Sequence, residues 1–206
     1  MDYIELAKIY EKLESTTKRL DKTYTISKLL EKTSTEDLEY IIYLLQGRVF
    51  PIWDSRVLGF SSRLIIKAIS LSTGTNPEHV EKLWTEKGDL GLVAESLIHR
   101  KKQTTLLIRK LTVKKVFQNL QELPKLEGEG TVAKKTSLVS ELLSASNSSE
   151  AKFIVRTVLE QLRVGVAEGI IRDAIAWAYF PKVIGIFFKC NECHEIVPNT
   201  EKCLRV

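Results

Sequence analysis

The chain has 206 residues, 44% of them apolar and 28% charged, and a net charge of +5 at neutral pH. That suits one large domain or two small ones with a real core. Ten Gly and five Pro exclude a collagen-like or Pro/Gly-rich disordered chain, and three Cys, all after residue 189, exclude a disulfide scaffold. The apolar run Val183 to Phe188 is far too short to span a membrane, and the acidic, amphipathic start Met1-Asp2-Tyr3-Ile4-Glu5-Leu6 is unlike a signal peptide. These features predict a cytoplasmic, soluble monomer.

Helical periodicity runs through most of the chain. Ile4, Ile9, Tyr10 and Leu13 approximate one face of a first helix, and a short second helix is expected over Ile26 to Lys32. Ser34 or Thr35 opens a third, with Glu36 and Asp37 in its first turn and Gly47 at its end. Pro51 and Asp54 mark a turn. A helix then starts near Phe60, and Asn76-Pro77-Glu78 opens another that stops at Gly88. Asp89 to Leu97 forms a further helix, followed by the polar stretch His99 to Thr105. Thr112 begins a helix ending at Pro124, and Thr131 caps one to about Leu143. Ser148-Ser149-Glu150 caps the next, to about Leu162, and the last covers Gly169 to Tyr179. The fold class is therefore all-α. Trp53, Trp84 and Trp177 are assigned to the core.

A faint internal repeat runs through this pattern. Tyr40-Ile41-Ile42 reads like Phe153-Ile154-Val155, Gly59-Phe60-Ser61 like Gly165-Val166-Ala167, and Leu64-Ile65 like Ile170-Ile171. An Arg precedes the Gly in each, Arg56 and Arg163, and the first copy carries about six extra residues around Phe50 to Trp53. Two helix-turn-helix copies predict a pseudo-two-fold domain. A bundle whose core positions coincide by chance gives the same pattern.

Positive charge is concentrated. From Ser96 to Lys135 there are ten basic residues and three acids, so this segment carries more than the whole excess. That is the electrostatic signature of phosphate binding, although a solvated face has the same composition. Within it, Gly128-Glu129-Gly130-Thr131-Val132-Ala133-Lys134-Lys135 places two Gly before a helix start and two Lys in its first turn. Free amides there favour a phosphate, while the helix dipole alone disfavours the lysines. The spacing is not that of a nucleotide-binding P-loop. Arg163, Gly165 and Gly169 repeat the design, and Gly88-Asp89-Leu90-Gly91 is a third Gly turn, for which a plain helix C-cap is also a sufficient reason.

No catalytic constellation emerges. His79 and His99 are each read as a surface or packing residue. In the tail, Cys190-Asn-Glu-Cys193-His194 has the haem-attachment spacing and, with Cys203, offers four soft ligands for zinc. Haem attachment requires export, and a zinc site usually has a second close pair. No metal is assigned, and residues 181–206 are expected to form a divergent, loosely ordered tail after a domain of residues 1–180.

Three stretches resemble the N-terminal DNA-binding domain of ATP-dependent DNA ligases, the archaeal type most closely. They are Gly88-Asp89-Leu90-Gly91-Leu92-Val93-Ala94-Glu95, the run from Glu150 to Glu168 through Arg163-Val164-Gly165, and Gly47-Arg48-Val49-Phe50-Pro51 with Leu58-Gly59. The resemblance covers roughly residues 1 to 179. It implies an all-helical domain lying along the minor groove of nicked duplex DNA, touching phosphates through helix-end loops with little regard for sequence. Carried over residue by residue, it implies DNA contacts by Arg163, Gly165, Gly169, Thr131, Lys134 and Lys135. Arg48, Arg56 and Gly59 join them by analogy between the copies, and Lys101 and Lys102 on charge alone. In the family a nucleotidyltransferase domain follows, with a K-x-D-G lysine that takes AMP from ATP, and then an OB-fold. This chain has no K-x-D-G. The resemblance therefore implies a chain that stops before the catalytic domain, with no catalytic residue and no cofactor of its own; ATP and Mg belong to the missing part. Expected partners are nicked duplex DNA and, in an alternative reading as an interaction scaffold, the remaining ligase domains or a sliding clamp.

Overall fold

The structure is a computed structural model that describes residues 1–99 and 110–180, together with the backbone of 187–189 and 196–198. Among the described residues the fold is helical throughout, apart from one short strand pair and an isolated bridge between Asp2 and Thr112. The chain divides into two units. The first comprises Met1–Lys8 and Glu39–Arg163, the second Ile9–Leu38 and Val164–Val206.

Helices α1 (Tyr3–Glu14) and α3 (Thr35–Leu45) run from one unit into the other. The buried positions of α1 are Tyr3, Leu6, Ala7, Tyr10 and Leu13, so its inner face is turned slightly from the one that Ile4 and Ile9 suggested.

The first unit holds α4 (Ser62–Thr73), α5 (Pro77–Lys87), α6 (Leu90–His99), α7 (Val113–Glu122), α8 (Thr131–Ala145) and α9 (Ser148–Val158), with a 3₁₀ turn over Leu123–Lys125. Local chemistry sets most of their ends. Ser61 caps α4 by accepting from the Leu64 amide, and Asn76 caps α5 with Pro77 just inside. Two N-caps and one helix end differ from the sequence expectation. Gly130, with φ of 75°, is the N-cap of α8, and Thr131 is its first residue; the Thr131 hydroxyl turns back to donate to the Gly128 carbonyl. Asn147, not Ser148, caps α9, in a reciprocal box with Glu150. Helix α9 also ends at Val158, four residues before Leu162, because Glu160 turns to a φ of 56°.

Helix α6 packs along α9, and α4 along α8. A Cβ added at Gly91 in α6 would lie 2.8 Å from the Lys152 carbonyl oxygen and from Arg156 Cγ, both in α9. Only a glycine lets the two backbones approach this closely. Phe117 of α7 is buried against the rings of Tyr40, at 4.9 Å between centroids, and Tyr43, at 6.0 Å.

The second unit holds α2 (Arg19–Lys32) packed on α10 (Glu168–Tyr179). Helix α2 begins seven residues earlier than its apolar stripe indicated, since Lys22, Thr23 and Ser27 occupy buried positions beside Ile26, Leu29 and Leu30. The Tyr179 hydroxyl donates to the Leu30 carbonyl at 3.0 Å. Within the tail, β1 (Phe187–Lys189) and β2 (Ile196–Pro198) pair antiparallel.

Tryptophan placement departs from expectation. Trp177 is buried, Trp84 is half-buried, and Trp53 is 83% exposed. It stands in a turn that follows the Pro51 kink, beside Ile52 and Val57, which are also exposed. The short segment around Trp53 closes through the Asp54 amide on the Pro51 carbonyl, while Val49, Phe50 and Leu58 on either side of it are buried.

Candidate nucleic-acid interface

Two glycine turns organise the candidate residues. The first, residues 46–61, links α3 to α4; the second, residues 159–167, links α9 to α10. Their entries match bond for bond. The Gly47 amide donates to the Leu44 carbonyl and Arg48 to Tyr43, and likewise Glu160 to Thr157 and Gln161 to Arg156. This is the Schellman pattern that closes a helix end, with Gly47 at φ 69° and Glu160 at φ 56°. Their exits match too. Gly59 and Gly165 both have φ of 63°, and the helix N-cap two residues later, Ser61 or Ala167, has φ −85° and ψ 160° in each.

In the first turn, Arg56 is committed locally. Its Nη2 lies 2.5 Å from Asp54 Oδ2, its Nε and amide bind Asp54 Oδ1, and its guanidinium stacks 4.1 Å from the centre of the Phe50 ring. The Arg56 hydrogen bonds hold the Asp54 carboxyl below its ordinary range. Arg48 is exposed and has no carboxylate partner among the described residues. It lines, with Phe50, Pro51, Ile52 and Arg56, an open hollow of about 390 Å³.

The basic Gly loop comes to this turn through the α4–α8 contact. Lys135 of α8 places its Nζ 3.6 Å from where a Cβ of Gly59 would stand. Thus Gly59 and Lys135, 76 positions apart in sequence, meet at one point. Lys134 is exposed beside it in sequence, and neither lysine has a carboxylate partner among the described residues. By contrast Lys110, Lys115 and Lys125 pair with Asp2, Glu141 and Glu122. Lys101 and Lys102, with Arg100 and Arg109, lie outside the described residues, as do Cys190, Cys193, His194 and Cys203.

In the second turn Arg163 adopts φ of 58°, and its side chain is half exposed. Its Nη1 lies 3.2 Å from Asp89 Oδ2. Asp89, a residue that sequence reasoning passed over, is buried at the junction of α5 and α6. Its Oδ1 accepts from the amides of Gly91 at 2.7 Å and Leu92 at 3.2 Å, which caps α6. Its Oδ2 faces Arg156 Nη2 at 2.9 Å as well as Arg163. Burial pushes this carboxyl upward, but the Arg156 hydrogen bond and charge, with the two amides, outweigh it and hold it below the ordinary value. One buried carboxylate thus faces two guanidinium groups, of which that of Arg163 is half exposed.

The second unit supplies Gly165 and Gly169. Val164 and Gly165 carbonyls accept from Lys22 Nζ at 2.7 and 3.1 Å. Gly169 lies in the first turn of α10, where Ala167 provides no side-chain cap and Arg172 is exposed. Arg19 pairs with Asp173 at 2.5 Å. Among the described residues no cluster of His, Cys, Asp or Glu could hold a metal ion, and no helix is long and apolar enough to cross a membrane.

An all-helical domain with such cationic glycine turns has a counterpart among known proteins: the family described as DNA ligase N terminus matches residues 2–176, and the chain belongs to it. Archaeal DNA ligases are among its relatives. The chain is 48% identical over 177 residues to a DNA ligase of Methanothermobacter thermautotrophicus, covering 86% of this chain and 32% of that protein. It is 41% identical over 179 residues to a DNA ligase of Methanobrevibacter smithii, covering 87% of this chain and 32% of that protein. With a DNA ligase of Archaeoglobus fulgidus the figures are 39% over 180 residues, 87% and 32%. The chain spans about a third of the length of these relatives.

Proposed function

We propose that this domain binds duplex DNA without sequence preference, as the DNA-binding part of an ATP-dependent DNA ligase acting in replication, repair and recombination. Its glycine turns, related as pseudo-two-fold copies, contact phosphates across the minor groove, on both sides of a nick. The observation that carries this is the meeting of Lys135 with Gly59, where backbone is open to close approach beside an ammonium unclaimed by any described carboxylate. Phosphate contacts of this kind position a protein without reading bases. Arg48, Lys134, Arg163 and the amides near Gly165 and Gly169 complete the set, with Thr131 at the start of α8. The domain has no catalytic role of its own and uses neither ATP nor Mg, which act in the catalytic part of such a ligase.

Fluorescence anisotropy on a nicked duplex, an intact duplex and a single strand, at several salt concentrations, tests this. Six phosphate contacts give a log–log salt slope of about −5 on duplex. Equal binding to single strand, or none to duplex at low salt, overturns it.

One observation favours a second reading. Ile52, Trp53 and Val57 form an exposed apolar group, which suits a protein surface such as another ligase domain or a sliding clamp. A shift of Trp53 emission on adding such a protein, without DNA, distinguishes this reading from the first.

A further inference from the structure

We infer that Lys22 is a positioning residue for DNA binding: a buried ammonium that holds the Gly165 turn in shape and gives it fixed positive charge. This rests on the DNA-binding reading above. Lys22 sits at the end of the first turn of α2 and is only 7% exposed. It has no carboxylate partner among the described residues; its Nζ donates instead to the carbonyls of Val164 and Gly165. Burying a cation is strongly unfavourable unless something replaces its water. Two neutral carbonyls replace part of it and leave the charge itself uncancelled. For packing alone, a methionine fills the same space without that cost.

The two turns make the point by repetition. In each, a lysine from a separate helix occupies the room left by a glycine without a side chain. For Gly59 it is Lys135, 3.6 Å from the Cβ position; for Gly165 it is Lys22, at 2.6 Å. The glycines share φ of 63°. At Gly165 the carbonyls are drawn to the ammonium, and α10 then starts without a side-chain cap, so its first amides remain available as donors. A phosphodiester at this turn meets donors backed by a fixed charge. Sequence reasoning finds Lys135, because it lies in a basic run, and misses Lys22, because it looks like any lysine of a polar helix.

The test uses the full chain and a nicked duplex, read by anisotropy over a range of salt, with thermal unfolding alongside. Lys22→Gln keeps an amide donor for the carbonyls and removes the charge. It is expected to unfold cooperatively, to bind about tenfold more weakly at low salt, and to show a slope shallower by about 0.9, the value for one phosphate neutralised. Lys82→Gln, at an exposed lysine of α5, leaves affinity and slope at wild-type values. If Lys22→Gln does not fold, Lys22→Met gives the same reading through its apolar fill. Wild-type affinity and slope in the folded variant overturn the assignment, and so does lost affinity at an unchanged slope, which makes Lys22 a residue of the fold alone. Absence of duplex binding by the wild-type chain brings down the DNA-binding reading itself, a result distinct from either.

Discussion

The two glycine turns share a backbone and differ in what they do with their arginines. In the first, Arg56 is paired with Asp54 two residues away, on the surface, and the cations with no carboxylate partner among the described residues are Arg48 of the turn itself and Lys135 of α8. In the second, Arg163 reaches a buried carboxylate that it shares with Arg156, so the turn is fixed to the start of α6. The first turn is seven residues longer and is tied outward by the Leu58 amide on Glu160 Oε1 and by the Gln121 side chain on the Val49 carbonyl; the second is tied through Arg163 to the buried Asp89. A local ion pair shapes a loop at little energetic gain, whereas a buried one makes the loop inseparable from the core.

This contrast has measurable consequences. The largest is expected at Asp89. Asp89→Asn leaves two guanidinium groups facing a neutral amide and should cost about 3 kcal/mol or more in urea unfolding; a cost below 1 kcal/mol would place the second turn with the first. The pH dependence follows from the same group. Asp89 is held below its ordinary value, so its contribution is present above the unfolded carboxyl value near 3.8 and is lost as pH falls through the folded one. Glu150 has the opposite sign: burial, then the charge of Asp2, raise it, so acid relieves a cost there. The difference between wild type and Asp89→Asn should therefore shrink toward low pH.

Next comes the charge of the first turn. Lys134→Ala with Lys135→Ala should weaken binding to all duplexes about equally and flatten the salt slope by about 1.8; unchanged binding removes this loop from the interface. A smaller effect separates the glycines. Gly59→Ala costs on the order of 1 kcal/mol through its positive φ. Gly165→Ala should cost more, since its new Cβ would meet Lys22 Nζ at 2.6 Å. Equal melting temperatures for the two variants would contradict that ranking. The smallest effect is at Trp53, where Trp53→Ala should change stability by less than about 0.5 kcal/mol, because the ring touches solvent rather than core.

Helix ends written in residue chemistry were legible in sequence: Asn76-Pro77 at the start of α5, Gly88 at its end, Thr112 before α7. Where polar residues face inward, the pattern misled. Lys22, Thr23 and Ser27 hid the first half of α2. Asp89 stood out only as part of a Gly turn at a helix start, because neither of its arginine partners is near it in sequence. Arg163 and Lys135 were found as cations, but which of them is tied and which is unclaimed depends on helix packing, and no local window carries that. Trp53 was misplaced for a related reason: its bulk argues for a core, while it stands in the exposed part of a turn whose Val49, Phe50 and Leu58 take the buried places.

Gly91 carries a last consequence, one of dynamics. Because α6 and α9 touch backbone to backbone there, neither helix can loosen without releasing the other, and the Asp89 cap at one end closes the remaining route for fraying. Amide hydrogens in the middle of these two helices should exchange only when the first unit opens as a whole. Their exchange rate in deuterated water is thus a direct gauge of that unit's global stability.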